Sequence, residues 1–143
     1  MAHFRIPSAD SKFRTFLPEV NRCAAVYLFT GSRNEILPCE EVPIGMENGR
    51  IADNLITSNS SVEGLEARKA RLNHNSAWCA QAASPSYLQV DLNATYLVCA
   101  ISTQGDASNL GSAFVEEYKM EFSLDGAKWD FYRSSVGVKV CFL

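Results

Sequence analysis

The 143-residue chain lacks several things that would mark it for particular chemistry. It has no apolar run near the ~20 residues of a helical membrane span; the run at 23–29 stops after seven. Basic residues do not predominate: 13 Lys and Arg against 16 Asp and Glu leave a net charge of -3. The basic footprint of a nucleic-acid binder is therefore missing, and no nucleic-acid partner is expected. The densest basic stretch, Arg68-Lys69-Ala70-Arg71, breaks off at Leu72 and reads as a solvated face or loop. Histidine occurs only twice, no C-x-x-C pair exists, and no His stands at ligand spacing from a Cys. A zinc site is therefore not expected, nor any other metal or cofactor. His74, amid Asn73, Asn75 and Ser76, has no Ser or Cys partner at a recognisable spacing for nucleophilic catalysis. The carboxylate pairs Glu40-Glu41 and Glu116-Glu117 are adjacent in sequence, so on a strand they point to opposite faces. No Gly-rich phosphate cradle is present. The sequence reads as non-enzymatic.

What is present fits one globular domain. The hydrophobic fraction is 47% and the charged fraction 20%, enough for a moderate core and too apolar for wholesale disorder. Five cysteines, at 23, 39, 79, 99 and 141, and two sequons, Asn59-Ser60-Ser61 and Asn93-Ala94-Thr95, point to an extracellular or secreted setting. Both Asn59 and Asn93 are candidate glycosylation positions. Arg22 precedes the apolar run at 23–29, but Pro7, Asp10, Pro18 and Glu19 stand upstream, and a signal peptide's charged leader does not normally contain such residues. Residues 1–38 hold three of the five prolines and no clear period. They read as a leader or the tail of a preceding segment, with no clear fold, and residues 39–143 as the domain proper.

Strand patterns dominate that second part. Leu88, Val90 and Leu92 alternate with Gln89 and Asp91, the signature of a half-buried strand. The nearly continuous apolar run 96–101 suits a buried central strand. Tyr118, Met120, Phe122 and Leu124 alternate with Lys119, Glu121 and Ser123, and Asp125-Gly126 then signals a hairpin with Trp129, Phe131 and Tyr132 on its return strand. Residues 63–72 allow a helical turn or two without a sustained apolar stripe. Trp78 and Trp129 read as core residues. Cys79 and Cys99 flank the 88–92 strand and are expected to form a disulfide that stabilises by ~3 kcal/mol. The pattern predicts an all-β, antiparallel sandwich or barrel.

In order and spacing, a set of short motifs resembles the discoidin domain, also called the coagulation factor 5/8 type C domain. It runs from Cys39 through Pro43-Ile44-Gly45-Met46-Glu47-Asn48-Gly49-Arg50-Ile51, Asp53, Ile56-Thr57 and Ser60-Ser61. It continues through Ala70-Arg71-Leu72-Asn73, Ala77-Trp78-Cys79, residues 88–92, Thr103-Gln104-Gly105, Tyr118-Lys119 and Ser123-Leu124-Asp125-Gly126 to Trp129 and Tyr132. The likeness covers 39–132. It implies a β-sandwich of jelly-roll type, galactose-binding-domain-like, with loops projecting at one end and no cofactor. It also implies an extracellular module that binds phospholipid headgroups, glycans or proteins in cell adhesion or surface recognition. A complete domain of this kind continues past Tyr132 and ends in a Cys that pairs with the one at its start. Residues 134–143 do not resemble that continuation, so the chain reads as incomplete at its C-terminus, with Cys141 a substitute partner for Cys39.

Candidate ligand-binding residues follow from the same resemblance. The loop 58–65 corresponds to the first spike, where lipid-binding relatives carry exposed aromatics or leucines; this chain offers Val62 and Leu65 and no aromatic. In collagen-binding relatives an Arg after the Thr-Gln-Gly element pairs with an acidic residue of an earlier loop. Asp106 and Asn73 stand at those positions here, which does not support collagen. Asn73, His74, Gln104 and Asp106 are instead candidate hydrogen-bonding groups for a glycan or another polar ligand. The function expected is a non-enzymatic adhesion or recognition module that binds cell-surface glycans, a phospholipid surface or an extracellular protein through its loop tips. Two other readings are an accessory carbohydrate-binding domain of a larger glycan-processing enzyme, and a truncated product without a stable ligand site.

Overall fold

A computed structural model describes residues 9–17, 23–30, 42–81, 85–106, 113–115 and 118–132. Eight antiparallel strands run through them: β1 (Ala9–Leu17), β2 (Cys23–Thr30), β3 (Val42–Pro43), β4 (Ile56–Ser58), β5 (Trp78–Cys79), β6 (Ser86–Gln104), β7 (Lys119–Ser123) and β8 (Asp130–Phe131). Two single 3₁₀ turns, at Asp53–Leu55 and Ala67–Lys69, are the only helical pieces among the described residues. The second falls where a helical turn was expected. The all-β class is as the sequence predicts, and the fold is a β-sandwich.

The hydrogen-bonded order is β3-β2-β6-β1-β7-β8, with β4 also against β6 and β5 against β2. The long strand β6 serves two groups of neighbours. Its first half pairs with β1 from Ser86 to Asp91 and with β4 at residues 88–90, while its second half pairs with β2 from Val98 to Gln104. A register break lies between the halves: Lys12 pairs with Asp91 but Asp10 pairs with Tyr96. The chain turns there through Asn93, whose φ is +57°, while the Asp91 carboxylate accepts the Asn93 backbone N–H at 2.9 Å. Asn tolerates this left-handed conformation better than most residues, and a bulge of this kind lets one strand leave one layer and enter another.

The alternation read from residues 88–92 is real: Leu88, Val90 and Leu92 are buried while Gln89 and Asp91 are half-exposed. They pack with Trp78, Met46, Ile51, Ile56, Val98, Ile101, Tyr118, Met120 and Phe122 in one core. Trp78 is fully buried, as the sequence suggests, and its indole N–H donates to the Ser60 carbonyl at 2.9 Å.

Five expectations need correction. Residues 9–17 and 23–30, within the stretch read as having no clear fold, are strands, and β1 lies between β6 and β7. Both pair with β6, at residues some 75 positions away (Arg14 with Gln89, for example), which local period cannot reveal. Leu124 does not continue the inward alternation; it lies past the end of β7 and is 62% exposed. The hairpin is present, but its connection is longer than a two-residue Asp-Gly turn. The Asp125 carboxylate accepts the N–H groups of Ala127 and Lys128, and the Ser123 hydroxyl accepts that of Gly126. Trp129 is not in the core. It is half-buried on the other face of the sheet, where the Arg14 guanidinium lies 3.9 Å from its ring and 4.2 Å from that of Tyr87.

The last correction concerns the disulfide. Cys79 is bonded to Cys23, not to Cys99. Strand β5 pairs with β2, placing Cys23 directly opposite Cys79 at a Cα separation of 4.0 Å. Cys99 contributes its backbone to β6. Cys39, Cys141 and the 134–143 segment lie outside the described residues.

Candidate functional site

Among the described residues, a polar surface forms where three segments meet: the turn 45–51, the loop 72–75 and the end of β6 at 103–105. Gly45 makes the turn possible. Its φ is +115°, and an added Cβ would stand 2.5 Å from the Cβ of Arg50. The Ile51 N–H closes the turn on the Gly45 carbonyl at 3.1 Å. Underneath, Arg71 is buried and donates to the carbonyls of Met46 and Ile51 and to the Asp53 carboxylate. A guanidinium presents its donors as a rigid fork, so one side chain can fix three acceptors of a folded-back turn. Arg71 therefore departs from the solvated face expected for the 68–71 stretch: it is buried and structural. The hydrogen bond from Arg71 holds the Asp53 carboxyl below its ordinary range. Desolvation opposes this, and the charges of Arg71, Arg68 and Lys69 add to it.

Above that support, Glu47, Asn73, His74 and Gln104 form one network. The Asn73 side-chain amide donates to the Glu47 carboxylate at 3.0 Å, and its backbone N–H donates to the Gln104 side-chain oxygen at 3.0 Å. His74 Nε2 lies 3.0 Å from the Glu47 carbonyl, which can only accept, so this nitrogen carries the proton. Asn73 takes a φ of +60°, which allows its backbone and side chain to bond in two directions. Beside the network lies an open cleft of about 520 Å³ lined by Glu47, Asn48, Gly49, Ala52, Asp53, Arg71 and His74.

The structure thus brings together three of the six residues expected to bind ligand: Asn73, His74 and Gln104. Asp106 is not displayed; it is 8% exposed, and its backbone N–H donates to the Ala113 carbonyl at 2.9 Å. The chain crosses so closely here that a Cβ on Gly105 would come within 2.8 Å of that carbonyl. Val62 and Leu65 lie elsewhere, on a loop pinned to β5 by the Val62 N–H to the Cys79 carbonyl and the Cys79 N–H to the Leu65 carbonyl. Leu65 packs against Cys23, Ala77 and Cys79, leaving Val62, 38% exposed, as the loop's apolar offering. Residues 107–112, the rest of the 103–112 stretch, lie outside the described residues.

Glu47 and Asp53 were missed as site residues. Both belong to the 43–53 motif, read from sequence only as a family signature. The bond from the Asn73 amide to Glu47 and the cleft are what give them a place.

The comparisons give this β-sandwich a family. The F5/8 type C domain model matches residues 55–140. The chain is 38% identical over 109 residues to Discoidin domain-containing receptor A of Caenorhabditis elegans, covering 69% of this chain and 14% of the receptor. It is 35% identical over 123 residues to human Neuropilin-2 (82% of this chain, 13% of the relative). Coagulation factor VIII of Sus scrofa is 34% identical over 120 residues, covering 76% of this chain and 6% of the factor. No solved structure gives a significant match. The chain belongs to the F5/8 type C, or discoidin, domain family, whose domains in these receptors and this clotting factor are non-enzymatic binding modules. It spans at most 14% of the length of the three relatives named.

Proposed function

We propose that this chain is an extracellular, non-enzymatic recognition module that binds a polar ligand, a glycan first of all, on the rim formed by Glu47, Asn73, His74 and Gln104. One observation carries the reading. Three separated segments are already tied together by hydrogen bonds that these side chains make to one another or to backbone, so the rim is ordered before any ligand arrives. A pre-ordered donor and acceptor array lowers the entropy cost of binding, and it suits the hydroxyl groups of a sugar. The adjoining cleft gives a concave surface beside it. An adhesion or surface-recognition role, as in cell-surface relatives, follows from this reading.

Phospholipid insertion has less support, because Val62 stands alone while Leu65 packs inward. A collagen-type ion pair has none, with Asn73 on the rim and Asp106 buried. Extracellular protein partners remain compatible with the same rim. A glycan array run alongside liposome sedimentation with and without phosphatidylserine tests the reading. The expected result is glycan binding without liposome pelleting. Liposome binding that depends on phosphatidylserine, with no glycan retained, would overturn it.

A further inference from the structure

The two sequons stand in opposite structural circumstances. Transfer of an oligosaccharide to Asn requires its side-chain nitrogen and the hydroxyl two residues on to be reached together by the transferase. At Asn93-Ala94-Thr95 all three residues are exposed. They sit in the β6 bulge, where residues 92–95 face only Ser11 of β1 between the paired positions on either side. Among the described residues, neither the Asn93 side-chain amide nor the Thr95 hydroxyl makes a hydrogen bond. The bulge is nevertheless fixed in place. Leu92 is buried beneath it, Asp91 caps the Asn93 N–H, and the Asp91 carboxylate is paired with Lys12.

At Asn59-Ser60-Ser61 the same groups are occupied. The Asn59 amide nitrogen donates to the Pro85 carbonyl at 2.9 Å, and its oxygen accepts the Tyr87 N–H at 2.8 Å. The Ser61 hydroxyl lies 2.9 Å from that of Ser58 and accepts the Trp78 indole N–H at 3.2 Å. A glycan there would compete with the bond to Pro85 and with the anchoring of the fully buried Trp78.

We infer that Asn93 is a site of N-linked glycosylation and that Asn59 is not, the free β6 bulge against the hydrogen-bonded loop deciding between them. The modified residue lies mid-strand, whereas Gln104 ends the same strand at the rim. A glycan at Asn93 therefore decorates the sandwich without occupying the rim. The inference rests on the extracellular reading only in requiring entry into the secretory pathway.

The experiment supplies that entry: the full chain is translated behind a cleavable signal sequence with endoplasmic-reticulum microsomes, and glycosylation is read as an endoglycosidase-sensitive gel shift. One shift is expected, lost in Asn93→Gln and in Thr95→Ala, and retained in Asn59→Gln. Thr95→Ala keeps Asn93 itself, so loss there is not a folding effect of replacing a positive-φ residue. A shift that survives Thr95→Ala, a shift lost in Asn59→Gln, or no shift in the unmodified sequence would overturn the inference. The readout needs no ligand, so failure here leaves the rim hypothesis standing, and failure of the rim to bind leaves this site standing.

Discussion

At the residue scale, Arg71 is the side chain on which the candidate site depends most. Replacing it with Ala removes a charged donor from two buried carbonyls, each such bond contributing about 1.5–3 kcal/mol. Arg71→Ala is predicted to lower unfolding stability in urea by about 3 kcal/mol. Arg71→Lys should recover only part of this, since a single ammonium cannot reproduce the fork; full recovery would show that charge alone matters. Asp53 and Glu121 should respond to pH in opposite senses. Asp53's folded pKa lies below its unfolded value, so its contribution is complete above the unfolded pKa and is lost as pH falls through the folded one. Unfolding midpoints measured from about pH 5 down to pH 2 should therefore drop less steeply in Asp53→Asn than in the unmodified chain. Burial pushes the Glu121 carboxyl up, against the charge of Arg14. Its ionisation therefore subtracts stability once pH rises past the unfolded pKa. Glu121→Gln should be more stable than the unmodified chain at neutral pH, and the difference should vanish on acidification. A constant difference across that range would assign the effect to packing rather than charge.

Elements explain why some of this was legible and some was not. The core face of β6 could be read at Leu88, Val90 and Leu92 because a half-buried strand writes its environment into every second residue. Strands β1 and β2 were not legible. Apart from the short pairing of β2 with β3, their partners lie in β6, β7 and β5, and at these distances in sequence no local pattern specifies register. Misplacing β2 also misplaced the disulfide: without it Cys99 was the nearest partner for Cys79, whereas the sheet sets Cys23 opposite. The Cys23–Cys79 bridge, separated by 56 residues, should contribute about 4 kcal/mol by loop-closure entropy. Peptide mapping without reduction should recover a Cys23–Cys79 linked pair, and reduction should lower the thermal midpoint. A Cys79–Cys99 peptide would contradict the strand pairing. Trp129 was misread for a related reason. It lies just before β8 rather than on it, and a cation from β1 covers it on the outer face.

At the scale of the whole molecule, the motif order from Cys39 to Tyr132 was sufficient for the family, because spacing across many loops is hard to reproduce by chance. Three of the four rim residues were legible: Asn73, His74 and Gln104 were visible as polar loop residues, while Glu47 needed the three-dimensional meeting of two loops. If this surface binds the ligand, Gln104→Ala should weaken glycan binding about tenfold, equivalent to loss of one good hydrogen bond. The thermal midpoint should stay close to that of the unmodified chain, since Gln104 lies outside the core. The most direct measurement is a backbone NMR titration of the intact chain with glycans retained on the array. Shift changes confined to 46–50, 72–75 and 103–105 are predicted; changes centred on 62–65, or none on the rim at saturation, would contradict the proposed site.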